Sequence, residues 1–361
     1  MNETKLANSF LFFTFCLYLY IAGFSYTSLI VDSPDNSFLI TCLRVVLIFI
    51  MIIVRLLTGS LTKIDFVVFF ISGLLLASLN PFFIIVAFML IVGLLLKPFV
   101  NDKKAINFAN YISLFSFISI LILCWLGILE NKFFFDNSDY AKSIRYSLGF
   151  DNPNATSIFA VQSIMLFFVY NNNFGKILST IIGLIVIYFA ASRTAFIVLL
   201  LFLNLYAFVY SIFLMKLIKI FTLLFLAVVP LFIVFFVSKG IWIVGSYDLN
   251  QLMSGRLTLI QEYYNMIGGV SLFPSYVDFS LDSGVSNILL KGGLIFYYLF
   301  IYLCYCYYRI ESNRLFLFLF SSFLLLLLSE NFITGNLLLS VLIMARFLML
   351  LSNRKNIGNV I

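Results

Sequence analysis

Arg193 interrupts two apolar runs in Ala191-Ser192-Arg193-Thr194-Ala195, and Arg256 follows a glycine in Gly255-Arg256-Leu257. Arg145, Arg44 and Arg346 are further arginines set beside or within apolar sequence. An ionised side chain at membrane depth costs roughly 2.5–3.5 kcal/mol on insertion scales, so it turns toward a bundle interior or a wet cavity. A guanidinium keeps its charge, and its planar fork matches two phosphate oxygens. Arginines in such positions suit a phosphate or pyrophosphate held at a membrane surface. The plainer alternative is a snorkelling arginine or one paired with a carboxylate, and it weighs most for Arg346.

Three carboxylates stand in comparable places. Asp282 precedes Ser283-Gly284-Val285-Ser286-Asn287, Glu330 ends an apolar run, and Asp151 precedes Asn152-Pro153-Asn154. A carboxylate beside a cationic pocket can take a proton from a sugar hydroxyl. It can equally be an arginine's partner, or a helix N-cap in the case of Asp282. Asn152, Asn154, Asn287, Tyr263, Tyr264 and Tyr276 supply the amides and rings that sugar binding uses, although interfacial tyrosines also form aromatic belts.

The elements that must position these residues follow from composition. The 361-residue chain is 63% hydrophobic and only 10% charged, with a mean hydropathy of +1.13. Soluble domains carry about 25% charged residues, so lipid must be the solvent for most of this sequence. Apolar runs near 8–30, 37–57, 64–79, 81–97, 106–129, 155–171, 177–192, 194–215, 217–237, 285–308, 314–329 and 333–351 read as spans. The expected fold is an all-α, polytopic bundle of about twelve transmembrane helices in one integral membrane domain, 1–361, whose first span stays attached. Leu79-Asn80-Pro81 divides the third run from the fourth, since Asn-Pro breaks a helix.

Charge orients the bundle. With the N-terminus cytoplasmic, inner segments hold thirteen of the 22 basic residues, among them Lys63, Lys97, Lys103 and Lys104, and only four acids. The positive-inside rule favours that sense, with both termini cytoplasmic. The segments 130–156 and 238–286 then become extracellular loops, the second large and between late helices. Eleven of the fifteen acids fall at or near the same face, so the chemistry is expected there.

Other classes are excluded. The net charge of +7 is spread over short loops, which makes no stripe for nucleic acid. The chain has no histidine, which removes imidazole chemistry and most metal-ligand sets. The five cysteines lie inside apolar runs without a CxxC pair, and no GxxxxGK[ST] run occurs. Asp136 and Asp139 are close in sequence but read as a loop turn, so no metal site is expected.

The order NPN at 152–154, ASRTA at 191–195, a Gly-Arg in the large loop, then Asp282-Ser283-Gly284-Val285-Ser286-Asn287 leading to Gly292-Gly293, resembles Wzy-type polysaccharide polymerases of the O-antigen polymerase and ligase superfamily. The likeness covers most of the chain in layout. It implies a glycosyltransferase that joins undecaprenyl-pyrophosphate-linked oligosaccharide repeat units on the outer face of a bacterial plasma membrane, building capsule, O-antigen or exopolysaccharide. Donor and acceptor would both be lipid-linked, with membrane lipids, a flippase and a chain-length regulator as further partners. Arg193, Arg256 and Asp282 would be catalytic, and Arg145, Asn152, Asn154, Tyr263, Asn287 and Glu330 would bind substrate.

The resemblance implies no cofactor and no metal: arginines would stabilise the charge on the departing pyrophosphate. The ligase branch carries a histidine where this chain has Asp282, so a ligase is disfavoured. The principal rival is a transporter or flippase for lipid-linked or other anionic substrates, which would hold its ionisable residues near the midplane and often show internal repeats.

Overall fold

A computed structural model of the chain describes residues 3–58, 61–138, 141–170, 172–253, 255–275, 277, 279, 281–331 and 334–353. Asp139, Tyr276, Asp278, Arg354 and Lys355 lie outside the described residues.

The first third holds α1 (Glu3–Phe24), α2 (Ser28–Val31), α3 (Pro34–Leu57), α4 (Lys63–Ala77), α5 (Pro81–Leu96) and α6 (Lys103–Trp125). An antiparallel hairpin follows, β1 (Phe133–Ser138) against β2 (Ala141–Tyr146), with Phe134 opposite Arg145. Next come α7 (Pro153–Val169), α8 (Asn173–Ala190), α9 (Arg193–Tyr206) and α10 (Ile212–Phe235). A two-residue ladder, β3 (Ile243–Val244) with β4 (Tyr247–Asp248), leads to α11 (Leu249–Leu252) and α12 (Arg256–Met266). The chain closes with α13 (Gly284–Leu290), α14 (Gly293–Ile310), α15 (Arg314–Ser329) and α16 (Leu338–Asn353).

Sixteen helices among the described residues make an all-α fold with two small hairpins. Seven of them, α1, α3, α5, α6, α8, α10 and α14, are long and apolar enough to cross a membrane, alone or with a short continuation. That corrects the expected count of about twelve. The other five runs form α4, α7, α9, α15 and α16, of 14–17 residues. At 1.5 Å per residue such helices reach about 21–26 Å, short of a hydrocarbon core about 30 Å thick.

Local capping fixes where these helices begin. Asn152 caps α7 by accepting from the Ala155 amide at 2.9 Å, with Pro153 as its first residue. At the other end of α15, Asn313 accepts from Leu315 N at 3.0 Å. Side-chain acceptors at these points satisfy the orphan amides of a first turn and fix where each helix begins. The 285–308 run also breaks in two. Gly293 has φ +80°, and a Cβ there would come within 2.6 Å of the Phe273 carbonyl. The 271–275 segment seats against this break through Leu294 N to Ser271 O (2.9 Å) and Ser275 N to Lys291 O (3.1 Å).

Apolar packing sorts the bundle into centre and rim. Two thirds of the α5 window is buried (67%), against 17% for α3; α7, α13 and α16 are similarly enclosed. Fully buried Gln162 of α7 accepts from Leu339 N at 3.3 Å, which satisfies an amide in the first turn of α16. The exposed faces of α3, α8 and α10 carry Phe, Leu, Ile and Val, the surface a helix presents to lipid rather than water.

Both ends of the bundle hold polar clusters. At one end Asp65 meets Lys97 and Arg55, at 2.5 and 3.4 Å, and Lys97 donates to Ser352 at 2.6 Å. Arg346 grips Glu311 through Nε (2.6 Å) and Nη2 (2.9 Å), and donates to Asn101 at 2.7 Å. This basic end thus confirms the plainer expectation for Arg346, a paired structural arginine stacked 4.4 Å over the Phe316 ring. The opposite end carries the β1–β2 hairpin and the segment around α11 and α12. Leu257, Ile260 and Tyr263 bury one side of α12 on the bundle, so that segment folds back as a cap.

Candidate functional site at the hairpin end

The short helices end where the charged residues gather. α7 and α9 begin there and α15 ends there, so their inset termini leave a recess at the hairpin end. A cavity of about 100 Å³ in that recess is lined by Arg145, Asn154, Arg193, Thr194, Arg256 and Asp282, with Ala191 and Ser192.

Each arginine arrives by a different device. Arg193 is the first residue of α9, just past a sharp elbow: Ala191 ends α8 at φ +45°, ψ +40°, a left-handed conformation rare outside glycine and asparagine. Arg256 opens α12 directly after Gly255, whose φ of +80° turns the chain inward. Arg145 comes from β2. Its Nε donates to Ala190 O at 3.1 Å and its Nη2 to Asn154 Oδ1 at 2.7 Å. The hairpin is rooted beneath it by Lys132 N to Ser147 Oγ (2.9 Å) and Thr156 Oγ1 to Ser147 O (2.6 Å). Lys132 also joins Asp32 and Asp151 at 2.8 and 2.9 Å, so Asp151 serves the hairpin's foundation and not the cavity.

The carboxylates divide the labour. Glu330 is buried; its Oε1 accepts from Arg256 Nη2 at 2.5 Å and from Thr194 Oγ1 at 3.0 Å, while its carbonyl accepts from Gly284 N at 3.2 Å. One residue therefore ties α9, α12, α13 and α15 together. Burial pushes the Glu330 carboxyl above the ordinary carboxylate range, against the lowering influence of Arg256. Asp282 differs: 41% of its side chain is exposed, and it lies 3.6 Å from Arg256 Nε. Ser283, not Asp282, caps α13 by accepting from Ser286 N at 3.2 Å. That leaves the Asp282 carboxylate to face the cavity.

Two buried polar atoms at this site make no hydrogen bond to protein: Ser192 Oγ and Arg256 Nε. Ser192 is buried and lines the cavity. Buried polar groups are overwhelmingly satisfied; Arg256 Nε has the Asp282 carboxylate 3.6 Å away, so it is Ser192 Oγ that marks a position where a ligand or water oxygen would sit. Ser192 and Thr194 were missed as functional candidates, although both stand in the ASRTA motif.

Of the nine candidate residues, the structure brings Arg145, Asn154, Arg193, Arg256 and Asp282 to the cavity wall, with Glu330 directly behind Arg256. Asn152 is the α7 cap one turn away. Asn287 is buried, and its amide donates to Leu281 O (2.7 Å) and Ser283 O (3.1 Å), which shapes the loop that carries Asp282. Tyr263 is fully buried on α12, 5.6 Å below Lys291 Nζ and beside Phe279. No protein-family model, curated protein or solved structure matches the chain.

Proposed function

We propose that this protein is a glycan polymerase that joins undecaprenyl-pyrophosphate-linked oligosaccharide units, with the hairpin end on the outer face of a bacterial plasma membrane and the basic end in the cytoplasm. The observation that carries the reading is the cavity itself: three guanidiniums from three separate elements share its wall with the Asp282 carboxylate, and a buried hydroxyl in that wall has no protein partner. Such a recess suits a pyrophosphate, because planar guanidinium forks meet its oxygens and the enclosed surroundings strengthen each contact. Location supports transfer over transport, since Arg145, Arg193 and Arg256 gather at one end of the bundle rather than at its midplane.

In the proposed reaction, a hydroxyl of the acceptor sugar attacks the anomeric carbon of the donor. The carbon–oxygen bond to pyrophosphate breaks, its electron pair leaves with the pyrophosphate, and Arg193 and Arg256 stabilise the growing charge. The hydroxyl proton passes to Asp282, which is close to Arg256 yet open enough to meet an incoming sugar. Asn154 holds Arg145 toward the leaving group. Glu330 is a positioning residue: it fixes Arg256 rather than touching the sugar.

The test is reconstitution of the purified chain with a lipid-pyrophosphate-linked oligosaccharide. A ladder of longer glycans is expected, abolished by Arg193→Gln and by Arg256→Gln. A ladder that persists in both variants would remove this cavity as the active site.

A further inference from the structure

The polar cavity has an apolar neighbour that shares its wall. Ala191, Ser192 and Arg193 line both spaces. The second, about 740 Å³, continues over Ile144 and Tyr146 of β2, Ile187 and Phe189 of α8, and Phe196 of α9. Strand alternation makes the partition: adjacent residues of a strand point to opposite faces, so Arg145 lines the polar cavity while Ile144 and Tyr146 line the groove. Tyr146 stands edge-on between Phe133 (5.4 Å) and Phe189 (6.1 Å), which braces the hairpin against α8.

We propose that the groove between β2, α8 and α9 seats the isoprenoid tail of the donor, a single-chain polyprenyl pyrophosphate lipid, with its pyrophosphate on Arg193 and Arg145. Charge complementarity selects this occupant. The groove is apolar along its length, and it ends at Arg193, beyond which lie Arg145 and Arg256. An amphiphile that fits carries apolar chain for the groove and a strongly anionic head at the junction, and a pyrophosphate supplies that head. The assignment also sets direction. Asp282 lines only the polar cavity, so a head entering past Arg193 points its sugar toward Arg256 and Asp282, and the acceptor hydroxyl approaches from the α12–α13 side. The inference rests on the polymerase reading for the donor role, and on the two cavities alone for the lipid.

The test is photocrosslinking in lipid nanodiscs with p-benzoylphenylalanine in place of Phe189, a lipid-facing residue 44% exposed, and of Phe225 on α10, 55% exposed, as the control. Undecaprenyl pyrophosphate is the probe, against a background of phosphatidylglycerol. The expected result is a polyprenyl adduct at position 189 but not at 225, reduced about tenfold when Arg193→Gln is added, the loss that corresponds to about 1.4 kcal/mol of head-group binding. Equal labelling at both positions, or labelling at 189 by phosphatidylglycerol alone, would overturn the proposal. The two readings fail separately: a ladder without the adduct removes the groove and leaves the polymerase, whereas the adduct without a ladder does the reverse.

Discussion

Arg256 donates to Glu330 at 2.5 Å, and each side chain is only 5% exposed. Residues 74 positions apart thus place a buried charge pair at the junction of four helices. Removing one partner of such a pair costs about 3–5 kcal/mol, because the other charge is left uncompensated. Glu330→Ala is expected to lower unfolding stability by that order. Glu330→Gln loses the charge but keeps an acceptor oxygen for Arg256 and Thr194, so it should cost less than Glu330→Ala by about 1 kcal/mol or more. Denaturation of the detergent-solubilised protein separates the two, and equal losses would refute the hydrogen-bonding role.

The same residue sets a pH dependence. Burial raises the folded Glu330 carboxyl above its model-peptide value of 4.5. Between the two values the native protein holds a proton that the unfolded chain has lost, so this group's contribution to stability falls as pH rises through that window. The slope of unfolding midpoint against pH should flatten in Glu330→Gln. A contribution that instead rises with pH above 4.5 would mean that pairing with Arg256 outweighs burial.

The basic end should behave as structure alone. Arg346 is bound to Glu311 and Asn101 and stacks on Phe316. Arg346→Ala is expected to cost about 3 kcal/mol or more of stability, while product formed per folded molecule stays near wild type. Loss of transfer in well-folded Arg346→Ala protein would place part of the chemistry at the wrong end.

Orientation is open to a simple labelling experiment. In a background with the five cysteines replaced, Gly245→Cys in the β3–β4 turn should react with an impermeant maleimide added outside cells. Lys104→Cys, at the start of α6, should react only after permeabilisation. The reverse pattern would invert the proposed topology.

Much of the fold was legible because hydrophobicity over a long window reports lipid contact directly. The span count was not. Apolar runs of about 16 or 17 residues meet the lower length limit for a span, and α4, α7 and α15 keep about those lengths, whereas the 194–215 run stops early, where α9 ends at Tyr206. At the site, arginines were conspicuous because charge is costly in lipid, and five of nine candidates do line one cavity. Asn287 and Tyr263 are buried away from the cavity wall for a physical reason: amides and rings near a polar end serve packing as readily as sugars. Glu330 was legible as an acid at a helix end, but its clamp on Arg256 depends on tertiary contact. Ser192 was obscured because one hydroxyl in a serine-rich chain carries no signal until its burial is known.

The most direct measurement counts leaving groups. In proteoliposomes supplied with a lipid-pyrophosphate-linked oligosaccharide, each new glycosidic linkage must release one polyprenyl pyrophosphate. One-to-one release, abolished by Arg256→Gln, is the predicted result. Substrate that crosses the bilayer intact, with no pyrophosphate lipid released, would contradict the account and identify a transporter.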